Sequence, residues 1–441
     1  MTQHPKAARR PAASLLRGLI TVGLIGFGGG SALIPVVEKE LVQKRGLLDD
    51  HLFTRHTIVA NITPGALPVK LSMAAGQAVR GPWLAVVAAL VVAAPGVVAT
   101  LGLMSAAVAV GPVGIRAISA ASVGISAFII VLLIGYILKV HQHAGARLPA
   151  FLLITVASAL ATGPNSLVLL VSGLAGRPLV THLPHLSAVQ LIGFALVVIV
   201  VVALVRDRPA VRGPRPRQAR NLRPTWLGTA FFLLLAALGV AVLTAVRGIA
   251  GFRIGTLLAL SSVTSFGGGE AYIGVADGFF VRTALVDRDV FYTQLVPIAN
   301  ALPGPILVKV GAGVGYLFGA SEAVWQAWLL GTAAVLVTVG ACCAVAMPVL
   351  GLYEDLRDHP VVRSIGAYIL PVICGLLIAV SATMLEVSAH VAEDAGADPV
   401  TVLWLSLGAV VVMTVLHVRR LVPDLVMLAV AGIVSLLALG W

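Results

Sequence analysis

Apolar runs long enough to cross a membrane recur along this chain, and each must close its own backbone hydrogen bonds. Leu84–Val110, Ala117–Leu138 and Leu227–Val246 all reach the roughly 20 residues that span a hydrocarbon core as α-helix. Lipid offers no partner to a free N–H or C=O, so only helices and closed barrels can cross it. Barrel strands alternate apolar and polar side chains, and runs such as Leu191–Val205 do not, so the barrel is excluded. Composition agrees: 59% of residues are apolar types and only 11% are charged, against roughly 25% charged in a soluble domain. The expected fold is an all-α polytopic helical bundle.

A second constraint is an internal repeat. Sliding the sequence by the 239 positions between Phe27 and Phe266 aligns Phe27–Gly81 with Phe266–Ala320 without a gap. Phe27-Gly28-Gly29-Gly30 falls on Phe266-Gly267-Gly268-Gly269, Ala60-Asn61 on Ala299-Asn300, Pro64-Gly65 on Pro303-Gly304, and Val69-Lys70 on Val308-Lys309. Glu38 falls on Asp277, which keeps a carboxylate there. Weaker matching resumes after an insertion and sets Arg116 against Arg363. The chain therefore divides into a first repeat (1–205), a linker (206–224) and a second repeat (225–441).

Each repeat reads as an entering helix broken by three glycines, a charged loop, a Pro-Gly segment and long apolar helices. From Ile58 to Val79 the chain is mostly apolar, but Pro64, Gly65 and Pro68 disfavour one continuous helix. A pair of half-helices or a re-entrant hairpin is expected, with Leu295–Phe318 as its twin. Such a break survives at membrane depth only where protein or a wet cavity receives the freed backbone groups.

The net charge of +12 does not point to nucleic acid, because the arginines cluster at span ends and in one linker. That linker, Arg206–Arg223, holds seven Arg, three Pro and one Asp. It and the N-terminal segment with Lys6, Arg9, Arg10 and Arg17 are expected on the cytoplasmic side. No small-x-small cleavage site follows the N-terminal arginines, so the first apolar run is read as a retained helix. One further span, Trp226–Val246, then puts Phe252 on the far side and makes the repeats inverted, an arrangement found in secondary transporters.

The strings FGGGSALIPVVEKELV and ANITPGALPVKL, with FGGGEAYI and ANALPGPILVKVGAGVGY in the second half, resemble the chromate ion transporter family. That family carries one or two copies of a repeat with a Phe-Gly-Gly-Gly helix and a downstream Pro-Gly-Pro segment. The resemblance implies a multi-pass protein of a bacterial plasma membrane, of the two-copy type, that exports an oxyanion such as chromate. Three departures are visible: Ala66 follows Pro64-Gly65 where the family usually has a second proline, Asn61 and Asn300 replace a frequent Gln, and Lys70 and Lys309 replace Asn or a small residue.

Binding an oxyanion at membrane depth calls for helix N-termini and a few fixed cations. The candidate substrate-binding residues are Gly28, Gly29, Gly30, Asn61, Pro64, Gly65 and Lys70, with Gly267, Gly268, Gly269, Glu270, Asn300, Pro303, Gly304 and Lys309. Only six lysines occur, and two of them stand at repeat-equivalent apolar positions. An intramembrane lysine costs about 3 kcal/mol on insertion scales and is read as functional by default, against the alternative of snorkelling to the interface. Glu270 has Ser31 as its counterpart and stands beside the second triplet, where it would pair with a lysine, carry a proton or cap a broken helix.

No Walker-type loop, nucleophile set or metal-ligand spacing is present, so no enzyme, metal or cofactor is expected. Cys342, Cys343 and Cys374 lie in apolar segments as small core residues. The expected function is secondary transport of an inorganic oxyanion; a passive anion channel, or a carrier for a different anion, is the alternative. The expected partners are that anion and membrane lipid, with no nucleic acid and with a homodimer as the admissible assembly. Inverted repeats make a direct forecast: Gln43→Cys and Arg282→Cys should be labelled by an impermeant reagent from opposite sides of the membrane, and labelling from one side would make the repeats parallel.

Overall fold

A computed structural model describes residues 11–26, 33–142, 144–175, 182–186, 188–206, 222–266, 272–320, 322–356 and 359–439. All regular structure among them is helical. The first repeat begins with α1 (Pro11–Ile25) and the short α2 (Ile34–Glu38), which widens into a π-helical turn over Lys39–Lys44. α3 (Asp50–Ile62) follows, its first turn capped by Asp49, whose carboxylate accepts from the Leu52 N–H at 2.7 Å. Then come α4 (Leu67–Arg80), α5 (Pro82–Val110), α6 (Pro112–Gln142), α7 (Leu148–Thr162), α8 (Pro164–Leu174) and α9 (Ala188–Arg206).

The second repeat opens with α10 (Arg223–Thr264), which breaks at Gly248. α11 (Tyr272–Ala276) again widens into a π turn, over Asp277–Val281. A second wide segment, Phe291–Leu295, lies between α12 (Arg288–Val290) and α13 (Val296–Ala301). α14 (Ile306–Ala320), α15 (Val324–Leu356), α16 (Pro360–Asp394), α17 (Pro399–Val418) and α18 (Asp424–Leu439) complete the chain. Among the described residues, seven helices are long and apolar enough to cross a membrane.

The expected breaks fall where proline and glycine put them. α3 and α4 are separate helices about Pro64-Gly65, as are α13 and α14 about Pro303-Gly304. The run Phe151–Leu174, which could be counted as one span or two, divides at Gly163 into α7 and α8. α1 ends at Ile25, and the first glycine triplet lies outside the described residues, as does the second. The paired π turns after α2 and α11 have no simple sequence signal; they are wide turns at equivalent places in the two repeats.

The chain forms two compact units, each assembled from three stretches: 1–98, 194–269 and 303–369 in the first, and 99–193, 270–302 and 370–441 in the second. In the first unit α10 and α15 run side by side because small residues let their backbones approach. A Cβ on Gly239 would meet Ala333 O and Val337, and one on Gly340 would meet Ala236 N and Phe232 O. α14 packs on α15 by the same device, Gly315 lying against Leu330 O and Ala334. Outward-facing Leu233, Leu234 and Leu238 on α10 are exposed, as lipid-facing residues are.

In the second unit α6 holds α18, with Gly124 against Ala431 O and the Ser435 hydroxyl donating to Ala120 O at 2.6 Å. α7 packs on α16 through Gly375 against Ser158, and the Thr155 hydroxyl donates to Pro371 O at 3.0 Å. Backbone-to-backbone packing leaves no room for growth. Gly340→Leu is expected to lower the melting temperature in detergent, because overpacking a tight core typically costs about 1–3 kcal/mol. Gly408→Leu, where no neighbouring atom lies within 4 Å of a new Cβ, should leave it unchanged.

Candidate functional site

The two Pro-Gly turns are the feature from which the site in the first unit is built. α3 ends at Ile62 with Thr63 already extended, and α4 starts at Leu67 with Pro68 in its first turn. Such a start suits proline, which has no N–H to lose there. In the second repeat Leu302 is extended after α13, and α14 begins at Ile306. Gly65 and Gly304 have φ of +101° and +99°, a left-handed conformation that a side chain resists.

Each glycine N–H is donated to a carbonyl of the opposite repeat. Gly65 N–H reaches Ser265 O at 2.6 Å, and Gly304 N–H reaches Gly26 O at 2.8 Å. Ser265 and Gly26 are themselves equivalents under the 239-residue shift, each standing directly before the Phe that opens a glycine triplet. The exchange is therefore reciprocal: each turn is held by the entering helix of the other repeat. Each turn also rests on a long helix of the other repeat. A Cβ on Gly65 would collide with Cys342 of α15, and one on Gly304 would come 3.4 Å from the Gly96 Cα of α5.

Lys70 and Lys309 are each the fourth residue of the helix that leaves a turn, and they are 2% and 1% exposed. Neither snorkels to an exposed position. The Lys70 ammonium donates to Ala60 O at 2.6 Å and to Thr63 O, the last carbonyls of α3. These are acceptors that a helix end leaves without intrahelical partners, so the cation closes the end of one half-helix from within the next. The Lys309 stem passes Gly96, where a Cβ would stand 3.2 Å from its Cδ.

The other expected residues are distributed unevenly. Pro64 is buried and Pro303 half-buried at the turns. Asn61 is exposed and its amide donates to Thr57 O at 2.8 Å. Asn300 is buried, its amide donates to Val296 O at 2.8 Å, and its Oδ1 has no partner among the described residues. Gly28, Gly29, Gly30, Gly267, Gly268, Gly269 and Glu270 lie outside the described residues.

Several neighbouring groups escaped the sequence reading. The Ser265 hydroxyl, 1% exposed, has no partner among the described residues although its own carbonyl holds Gly65. His56 is buried on α3 with Nδ1 unpartnered there; its spacing from Phe53 and Ala60 along one helical face is the signal that would have found it. Glu40 rather than Glu38 is the buried carboxylate of the first charged turn, paired with Lys44 and Arg45.

The profile of the chromate transporter family matches residues 13–177 and again residues 252–436. The chain belongs to that family. The curated relatives it matches include the uncharacterized transporter YwrB of Bacillus subtilis (strain 168), 32% identical over 96 residues, which are 22% of this chain and 49% of the relative. The uncharacterized transporter YwrA of the same organism is 29% identical over 120 residues, 27% of this chain and 63% of the relative. The chain thus spans about half the length of the first relative and less than two thirds of the second. No solved structure matches it significantly. Family membership and the seven long apolar helices together make this a multi-pass membrane protein.

The reciprocal turns carry a sharp expectation for stability. Gly65→Ala and Gly304→Ala should each lower the unfolding midpoint in detergent, since a side chain at this φ alone costs about 1–3 kcal/mol. Gly193→Ala, which meets nothing within 4 Å, should have no such effect. Equal behaviour of all three variants would remove the turns from the core of the account.

Proposed function

We propose that the chain is a secondary transporter of an inorganic oxyanion, with chromate, the family's namesake, as the first candidate cargo and export from the cytoplasm as its direction. The observation that carries this reading is the pair of buried lysines at equivalent positions, each one turn beyond a Pro-Gly break. An ammonium has three N–H donors. Lys70 spends two of them on Ala60 O and Thr63 O, which leaves one for a ligand. The unspent Ser265 hydroxyl adds a buried polar group beside the same turn. Buried polar groups are rarely left without partners, and each one that is asks for a reason.

In this reading Asn61, Pro64, Gly65 and Lys70, with Pro303, Gly304 and Lys309, line the anion's path together with both glycine triplets. The repeats, 1–205 and 225–441, are inverted about it, joined by the cytoplasmic linker 206–224, in a bacterial plasma membrane with the N-terminus inside. The triplets permit close backbone approach to an anion. The lysines supply charge without a metal. Saturable flux with counter-transport distinguishes this carrier from a passive channel.

Lys70→Met and Lys309→Met keep the apolar stem and delete the charge. Each is expected to weaken apparent affinity for chromate roughly tenfold to hundredfold in proteoliposome uptake, since one charge-assisted contact is worth about 1.5–3 kcal/mol. Arg at either position should not restore uptake, because a planar fork cannot occupy the ammonium's place. A purely structural role for Lys70 forecasts instead a lowered melting temperature with unchanged affinity in the folded fraction. Wild-type uptake kinetics in both Met variants would end the proposal.

A further inference from the structure

The second compact unit contains a polar cavity of about 280 Å³ walled by the α7–α8 break, the segment after α11, and α16. A water molecule's share of liquid volume is about 30 Å³, so a small tetrahedral ion fits with part of its hydration. Two arginines enter the wall. Arg282 donates through Nε to Asp277 at 3.1 Å and through one terminal nitrogen to Thr162 O, at the end of α7, at 2.9 Å. Arg288 grips Glu386 of α16 with both terminal nitrogens, at 3.0 and 2.7 Å. The second Asp277 oxygen is taken by the Tyr292 hydroxyl at 3.0 Å.

These pairs do not exhaust the donors. A guanidinium carries five N–H groups in a rigid fork. Arg282 keeps one terminal nitrogen, and Arg288 keeps Nε, with no described acceptor. Both side chains stay reachable from the cavity, 28% and 39% exposed, while the partner carboxylates are only 12% exposed. Charge balances between the two pairs, and the N-terminus of α8, which has no side-chain cap, adds its positive end at the same wall. Asn165 and Thr383 supply neutral polar atoms.

Counting back by the repeat puts Gln43 and Asp49 where Arg282 and Arg288 stand. The first repeat therefore has no copy of the arginine pair, and the cavity is not a by-product of the shared fold. The geometry points to an oxyanion-binding site in this cavity, in which Arg288 and Arg282 hold a tetrahedral dianion and Glu386 is the internal anion that occupies Arg288 when none is bound. This rests on reading the chain as an oxyanion transporter and adds to it a second anion site apart from the lysines. A bidentate fork suits a sulfate-like oxyanion as well as it suits a carboxylate, so exchange between the two is chemically direct.

The test is equilibrium binding of radiolabelled chromate and sulfate to the purified full-length protein in detergent, carried out in the Lys70→Met/Lys309→Met background so that remaining binding reports the cavity. One saturable site is expected to persist. Arg288→Gln combined with Glu386→Gln replaces the ion pair by an amide pair of the same shape and unchanged net charge, and should weaken binding tenfold or more. Glu386→Gln alone should tighten binding severalfold by freeing Arg288, a gain that a merely structural ion pair would not produce. Unchanged binding in both variants, or loss of all binding in the lysine background, would overturn the site. Uptake by the same lysine variant at the wild-type rate would instead count against the lysine pathway and leave the cavity result standing.

Discussion

Two hydrogen bonds, Gly65 N–H to Ser265 O and Gly304 N–H to Gly26 O, tie the repeats to each other at the points where each is least able to satisfy itself. A Pro-Gly turn inside an apolar chain frees backbone donors and acceptors that lipid cannot receive. Here the glycine donors go to the carbonyls that precede the glycine triplets, and the Lys70 ammonium donates to the carbonyls at the end of α3. The break is tolerated because the other repeat completes it. Neither repeat could close its own turn alone in this way, which gives a physical reason for the duplication to act as one fold.

Steric demands follow from the same crossing. Gly65 lies on Cys342 and Gly304 on Gly96, so α15 and α5 must each present a small residue to the opposing turn. α10 and α14 then reach α15 through glycine contacts at Gly239, Gly340 and Gly315. The Ser265 hydroxyl beside the turn has no partner among the described residues. In the polar cavity of the second unit the cations are instead paired with internal carboxylates, Arg282 with Asp277 and Arg288 with Glu386.

Much of this was legible in the residues. Helical class followed from the apolar runs, the repeat from the 239-residue shift, and the divided helices from Pro64-Gly65 and Pro303-Gly304. Burial of Lys70 and Lys309 was implied by their apolar flanks. What the ammonium of Lys70 touches was not, because Ala60 and Thr63 act through carbonyls that every residue carries. For the same reason Gly26 and Ser265 went unnoticed: a backbone acceptor leaves no mark on side-chain identity. Arg282 and Arg288 carry no such mark either, because sequence alone does not bring α16 and the α7–α8 break to the segment that holds them.

Amide hydrogen exchange of the intact protein in micelles, followed over the peptides that span Gly65 and Gly304, tests the crossed hydrogen bonds most directly. Both turn amides are expected to exchange as slowly as those of the flanking helices, and a substitution at either glycine should release protection at both, since each bond braces one shared crossing. Exchange of either turn amide at the rate of an open loop in the wild-type protein would contradict it.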